Sequence, residues 1–322
     1  MSPLLLNVLL LCLGVGILYI GAEWLVRGSS RLATSLGISP IVVGLTVVSF
    51  GTSAPELVVA LIAALNDNPD LAMGNVMGSN LANLGLILGL TALIRPMKVA
   101  SRVAKREIPI MLFLTLLLFP LVADGRLVFV EGAILFALLL LYLGFVNRFA
   151  SSDSVVVGEE FEKFAEAESA FMDRGALVHI GLVLAGSAGL VTGGSAIVQS
   201  AEFIALEFGI SDVVIGLTLV AIGTSLPELA TAVVAAMRDE ADIAVGNIIG
   251  SNIFNIAAIL GITSMVTPIA VSGDILTREL PAVLAISLLV LPLTKTGLRV
   301  HRWEGAVLLV AYAGLTTWLV AF

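Results

Sequence analysis

Apolar runs of about 20 residues recur along this chain, separated by short polar or Gly/Pro-containing breaks. Each run is long enough to cross roughly 30 Å of hydrocarbon as a helix. Their approximate cores are 4–26, 38–65, 71–94, 107–123, 127–147, 176–203, 211–237, 242–268, 276–293 and 303–322. The pattern predicts an all-α polytopic membrane protein with ten transmembrane helices. Glycine and proline in mid-span predict breaks or tilts in the first and second spans of each half. One stretch, 151–174, is hydrophilic and acidic, carrying Glu159, Glu160, Glu162, Glu166 and Glu168. It reads as a solvated linker, with a short amphipathic helix through Phe161, Phe164 and Phe171 or a regulatory cation site as further readings. It is too short for a separate folded domain.

Composition agrees with lipid as the main solvent. Of the 322 residues 59% are hydrophobic and 12% charged, and the mean hydropathy is +1.10. A soluble domain carries about twice that charged fraction. The net charge of -8, with no basic stripe, argues against nucleic acid as a partner. Cys12 stands alone in the first apolar run, so it builds neither a disulfide nor a metal cluster. That run lacks the positive flank of a signal peptide and reads as a retained span.

The cations segregate. Arg27 and Arg31 follow the first span. Arg95, Lys98, Arg102, Lys105 and Arg106 follow the third. Arg148, Lys163 and Arg174 follow the fifth, Arg238 the seventh, and Lys295, Arg299 and Arg302 the ninth. Only Arg126 and Arg278 remain of the 16. By the positive-inside rule the larger set faces the cytoplasm of a cell membrane, with both termini extracytoplasmic.

The chain also repeats itself. GLTVVSFGTSAPEL begins at Gly44 and GLTLVAIGTSLPEL at Gly216, an offset of 172. AMGNVMGSNLAN and AVGNIIGSNIFN keep that offset, and half the positions from Gly44 to Val99 are identical to their counterparts. Five spans per unit is odd, so the second unit enters the membrane from the opposite side. The predicted organisation is a first inverted repeat over 1–150, an acidic cytoplasmic loop over 151–175 and a second inverted repeat over 176–322. Such repeats place a substrate site near the midplane where they meet.

Glu56 and Glu228 fall well inside the second and seventh spans, where a carboxylate costs a few kcal/mol unless compensated. A structural hydrogen bond would account for one; two in a duplicated motif point to a shared function. Pro55 and Pro227 each remove an amide hydrogen and clash with the carbonyl four residues earlier, at Gly51 and Gly223. Carbonyls at 48–52 and 220–224 thereby become candidate ligands. Thr52, Ser53, Thr224 and Ser225 add hydroxyls within one turn of each glutamate. Ser79 and Asn83 share one helical stripe, as do Ser251 and Asn255. Asn80 and Asn252 read as residues that hold helices together, and Asn75 and Asn247 are open to either role. Gly74, Gly78, Gly246 and Gly250 allow close helix approach. These donors are oxygens, suited to Ca²⁺ or Na⁺ and not to zinc, copper or iron. Glu23 and Arg27 are spaced for a local ion pair, while Glu202, Glu207 and Asp212 read as a solvated loop near an entrance. His179 and His301 read as interfacial residues. The Gly-rich first and sixth spans suggest helices that slide past a rigid core of spans two, three, seven and eight.

The paired motifs GTSAPE with GNVMGSNLAN, and GTSLPE with GNIIGSNIFN, resemble the two alpha repeats of the Ca²⁺/cation antiporter superfamily. The prokaryotic sodium/calcium exchangers are the branch they resemble most. The resemblance implies Ca²⁺ bound by Glu56 and Glu228 with the backbone oxygens of Thr52 and Thr224. It implies Na⁺ held by the carbonyls of Ser49 and Ala221 and by Ser53, Ser79, Asn83, Ser225 and Ser251. Asn255 departs from the Asp frequent at this position in microbial and potassium-dependent relatives, which argues against K⁺ co-transport and removes a protonatable group. If three Na⁺ exchange for one Ca²⁺, as in relatives, each cycle moves net charge and responds to voltage.

The leading expectation is a secondary antiporter exchanging Na⁺ for Ca²⁺, not an enzyme. It needs no cofactor beyond the transported ions and no obligatory protein partner. A Ca²⁺/H⁺ antiporter on the same scaffold is the alternative, and a cation channel a weaker one, since channels gather ligands from several subunits. No HExxH or GxSxG motif supports an intramembrane hydrolase.

Overall fold

The computed structural model describes residues 3–150, 176–208, 221–295 and 297–321. The acidic stretch, Gly216 and Asp212 lie outside the described residues. The chain is a mostly helical membrane protein. Helices α1 (Pro3–Leu36), α2 (Pro40–Thr52), α3 (Ala54–Leu65), α4 (Pro69–Ile94), α5 (103–121) and α6 (Phe129–Ala150) form the first half. Helices α7 (Ala176–Glu207), α8 (Ala221–Thr224), α9 (Leu226–Met237), α10 (Ala241–Val266), α11 (Ile275–Thr294) and α12 (Arg302–Ala321) form the second. Among the described residues seven of these are long and apolar enough to cross a bilayer alone, and an eighth span is the bent pair α2 and α3.

Proline sets the bend. Pro55 cannot donate to the Gly51 carbonyl, so the helix is interrupted at Ser53 (φ −85°, ψ 5°) and turns by 43° into α3. Ser225 repeats the interruption (φ −87°, ψ 1°) between α8 and α9. The first and sixth spans are not broken as expected. α1 is continuous over 34 residues and α7 over 32. At 1.5 Å per residue α1 is about 51 Å long, so Arg27 and Arg31 sit on the helix and not in a loop. Its glycines serve packing instead of bending. A Cβ on Gly21 would lie 2.7 Å from the Leu190 amide nitrogen, and one on Gly193 2.6 Å from that of Leu18. Gly14 meets Gly193, Gly21 meets Gly186 and Gly28 meets the His179 carbonyl, so α1 and α7 run antiparallel with backbones in contact.

Two of the motif-bearing helices, α4 and α10, form the interior. The apolar window of α10 is wholly enclosed and that of α4 is 72% buried, whereas α1 and α12 bury 17%. α1 and α12 therefore present most of their surface to lipid, with Leu5, Leu9, Leu13, Val310 and Val320 exposed.

Contacts recur under the repeat, at an offset of 172 for Met97 and Ile269 and of 173 from Arg126 and Arg299 onward. Two short antiparallel bridges join the halves: β1 (Met97–Lys98) with β4 (Arg299–Val300), and β2 (Arg126–Leu127) with β3 (Ile269–Ala270). Met97 opposes Val300 and Ile269 opposes Leu127, so the two bridges are the same contact with the halves exchanged. Gly89 packs on the backbone of Gly305 in α12, and Gly261 on that of Gly132 in α6. The last helix of each half thus lies against the fourth or tenth helix of the other. The caps repeat too: Glu131 accepts from the Val128 amide at 3.2 Å and Glu304 from that of His301 at 2.7 Å.

Candidate functional site

Both glutamates occupy the first turn of the half-helix that follows an interruption, Glu56 in α3 and Glu228 in α9. The positive end of each helix dipole therefore faces its own carboxylate. The preceding half-helices end at Thr52 and Thr224, with their carbonyl ends directed at the same region. Glu56 and Glu228 are each 1% exposed.

The two halves meet at these residues. Ser53 donates its hydroxyl to Glu228 Oε1 at 3.2 Å, a contact spanning 175 residues of sequence. Thr52 donates to Asn247 Oδ1 at 3.0 Å. Asn255 donates to Asn80 Oδ1 at 3.0 Å, pinning α10 to α4. Asn80 therefore does hold two helices together, while Asn252 bonds only to Ile248 of its own helix. Asn75 donates to the Glu56 carbonyl at 3.3 Å. Ser49 gives its hydroxyl to the carbonyls of Gly44 at 2.7 Å and Asn247 at 3.1 Å. The Ser49 carbonyl accepts from the Ser53 amide at 3.0 Å and from the Thr52 hydroxyl at 3.3 Å.

Several buried polar atoms around this junction have no protein partner. They include Glu56 Oε2, Glu228 Oε2, both polar atoms of the Asn83 amide, Thr224 Oγ1, Ser225 Oγ, Ser251 Oγ and Asn255 Oδ1. A buried unpaired polar group costs about 1–3 kcal/mol, more when charged. Seven of these eight are oxygens, and among the described residues no group of three or more His, Cys, Asp or Glu is assembled. Two carboxylates among hydroxyls and amides make a donor set for a hard cation.

Of the residues singled out in the sequence, Glu56, Glu228, Thr52, Ser49, Ser53, Ser225, Ser79, Asn83, Ser251 and Asn255 are buried. Thr224 lies in α8 beside them, and the backbone of Ala221 begins that helix. π-helical turns start at Asn83 and Asn255, where an extra residue in the turn re-aims the side chain. Sequence spacing alone leaves Asn247 and Asn75 open to either role; Asn247 bonds to Thr52 of the opposite half's motif, and Asn75 to the Glu56 carbonyl of its own half. Their shared place in the two GN motifs was the available signal. Glu23 pairs with Arg27 at 2.6 Å as expected, but also binds Arg238, whose Nε lies 2.6 Å from Oε2. Arg238, Asp239 and Glu240 form a turn that ties Glu23, Arg95 and Ser30 together, with Ser30 donating to Glu240 at 2.7 Å. His301 is exposed, and Glu202 and Glu207 are exposed on α7.

A family profile described as sodium/calcium exchanger protein matches the chain twice, over residues 6–147 and 178–321. The sodium/calcium exchanger MaX1 of Methanosarcina acetivorans is 36% identical over 95% of this chain and 96% of its own. The inner membrane protein YrbG of Escherichia coli is 38% identical over 89% and 88%. Among solved structures, the sodium-calcium exchanger NCX_Mj soaked with Na⁺ and Ca²⁺ superposes with a TM-score of 0.82. It is 32% identical and covers 97% of each chain.

Proposed function

The chain belongs to the sodium/calcium exchanger family, and from that premise we propose that it is a secondary antiporter in which Na⁺ and Ca²⁺ compete for one buried site. Its ten spans form two inverted repeats, 1–150 and 176–322, joined by the acidic cytoplasmic loop 151–175. The repeated bridges, glycine contacts and caps support this organisation, as does the double family match. The arginine and lysine distribution supports a cell-membrane orientation with both termini outside.

The observation that carries the reading is the bond from Ser53 of one half to Glu228 of the other, beside partnerless carboxylate oxygens on Glu56 and Glu228. Two carboxylates neutralise one Ca²⁺, and the Thr52 and Thr224 carbonyls complete its oxygen shell. Ser53, Ser79, Asn83, Ser225, Ser251, Asn255 and the Ser49 and Ala221 carbonyls supply positions for Na⁺. Occupying those positions draws oxygens from the Ca²⁺ shell, so the ions exclude one another. The empty carrier carries two uncompensated carboxylates through a low-dielectric centre, which disfavours its reorientation. Coupling follows from that penalty.

Close packing seals one route. A Cβ on Gly246 would lie 3.1 Å from the Leu45 nitrogen, and one on Gly44 3.0 Å from the Ile243 carbonyl oxygen. In the proposed orientation this contact of α2 with α10 closes the cytoplasmic half.

Reconstitution in liposomes with defined Na⁺, K⁺, H⁺ and Ca²⁺ gradients tests the proposal. Ca²⁺ uptake driven by a Na⁺ gradient at equal pH is expected. It should vanish in Glu56→Gln and in Glu228→Gln while both proteins insert normally. Uptake that follows the pH gradient alone would assign the scaffold to Ca²⁺/H⁺ exchange, and non-saturating flux without counterflow would make it a channel.

A further inference from the structure

Asn75 and Asn247 are equivalent by the repeat but not by their bonds. Asn247, fully buried, accepts the Thr52 hydroxyl at 3.0 Å, and its Nδ2 has no partner. The equivalent pairing would join Asn75 to Thr224. It is not made: Thr224 Oγ1 has no partner, and the Asn75 amide donates instead to the Glu56 carbonyl at 3.3 Å. One half-site is clasped and its twin is open.

Inverted repeats convert between access states by exchanging the conformations of their halves. Exchange of these two settings would join Asn75 to Thr224, release Thr52 and turn the Asn247 amide toward the Glu228 carbonyl. The partnerless Nδ2 of Asn247 is the donor that step requires. We propose that Asn247 and Asn75 are positioning residues that alternate. Asn247 fixes Thr52 while the α2 side is sealed, and Asn75 fixes Thr224 while the opposite side is sealed.

The consequence is a directional one. Thr52 closes a half-helix whose carbonyl end faces the site, and its hydroxyl splits between Asn247 and the Ser49 carbonyl at 3.3 Å. Holding that hydroxyl holds the turn, and with it the direction of the Thr52 carbonyl. Neither asparagine needs to touch a cation. A residue important only for folding would weaken transport equally from both faces, whereas an alternating clasp acts on one face at a time.

The inference rests on the exchange reading above, and the test separates the two. Oriented vesicles are assayed for the half-saturating Ca²⁺ concentration at each face, with Na⁺ in excess on the other. Removing one buried neutral hydrogen bond should raise it about three- to ten-fold. Asn247→Ala is expected to do so at the extracytoplasmic face only, and Asn75→Ala at the cytoplasmic face only. Thr52→Val, which keeps the backbone carbonyl and the branched shape, should match Asn247→Ala, and the double variant should be no worse than either. Should Asn247→Ala fail to insert, Thr52→Val carries the same face-selective expectation. Equal shifts at both faces, or additive effects of Thr52→Val and Asn247→Ala, would overturn the clasp while leaving antiport intact. Wild-type vesicles without Na⁺-coupled Ca²⁺ flux would overturn both readings.

Discussion

Replacing Gly250 by alanine probes whether the seal between α2 and α10 matters to transport. The added Cβ would stand 2.2 Å from Ser49 Oγ, 2.8 Å from the Leu45 carbonyl oxygen and 2.9 Å from Leu45 Cα. Ordinary contact begins near 3.4 Å. The Ser49 hydroxyl can rotate away only by leaving the Gly44 carbonyl at 2.7 Å and the Asn247 carbonyl at 3.1 Å. Leu45 contributes backbone, which cannot swing aside, so α2 must retreat by about 0.6 Å, the gap between the 2.8 Å and 3.4 Å distances. Thr52 lies two turns further along the same span, and its 3.0 Å bond to Asn247 has little slack before it is lost. Overpacking of this kind costs about 1–3 kcal/mol, and the broken bond adds about 1 kcal/mol. Expected outcomes are a melting temperature lowered by several degrees in detergent and Na⁺-driven Ca²⁺ uptake reduced about ten-fold or more. Gly16→Ala serves as the control, because Gly16 is exposed and has no described neighbour within 4 Å. Adding Ser49→Ala to Gly250→Ala relieves the nearest contact but not those with Leu45, so rescue should be partial. Uptake and melting unchanged by Gly250→Ala, or full rescue by the second change, would refute the reasoning.

Gly21→Val should separate α1 from α7, since even a Cβ there lies 2.7 Å from the Leu190 nitrogen; slower turnover with near-normal equilibrium Ca²⁺ binding is expected, and calorimetry beside flux would register it. Glu23→Gln uncouples Arg27 and Arg238, both within 2.6 Å in at least one contact, from a side chain 16% exposed. The melting temperature of wild type should fall with added salt more steeply than that of the variant. Glu304→Ala removes the acceptor for the His301 amide and should destabilise the protein by about 1 kcal/mol, read as a lower melting temperature without loss of ion selectivity.

The two helix interruptions were legible because proline has a local mechanism: Pro55 and Pro227 act on their own helices whatever packs around them. That the two motif copies meet has a different signal, the duplication itself: equivalent residues near the centre of each copy are candidates for one junction, and Ser53 of the first does bond to Glu228 of the second. What escaped the sequence lies in partner choice. Glu23 and Arg27 are four residues apart, and that pair was expected, but Arg238 reaches Glu23 from 215 residues away and no local spacing announces it. The mid-span glycines of α1 suggest a break or tilt from sequence alone. They prove to be contact points, because a glycine's effect depends on whether another backbone lies against it, and here α7 does. The π turns at Asn83 and Asn255 likewise depend on how α4 and α10 cross, not on residue propensity.

On the proposed function, duplication accounts for paired ligands; it does not by itself account for a site open to one side at a time. A perfectly two-fold arrangement would present the same face to both compartments and could only leak or stay shut. In that reading every state open to one side requires the copies to differ in conformation, and the difference must be reversible, so it has to reside in bonds that either copy can make. Hydrogen bonds of hydroxyls and amides suit this better than ion pairs, because exchanging one neutral partner for another costs little in a low-dielectric interior. The Arg238–Glu23 contact shows the contrast. The positions equivalent to Glu23 and Arg238 are Ser195 and Asn66, so that ion pair has no counterpart in the other copy and biases one state instead of alternating. The Thr52–Asn247 and Thr224–Asn75 pairs have the same residue types in both copies, with one bond made and one not. The proposed clasp therefore places alternation at positions where the repeats match in chemistry, and directional bias at positions where they do not.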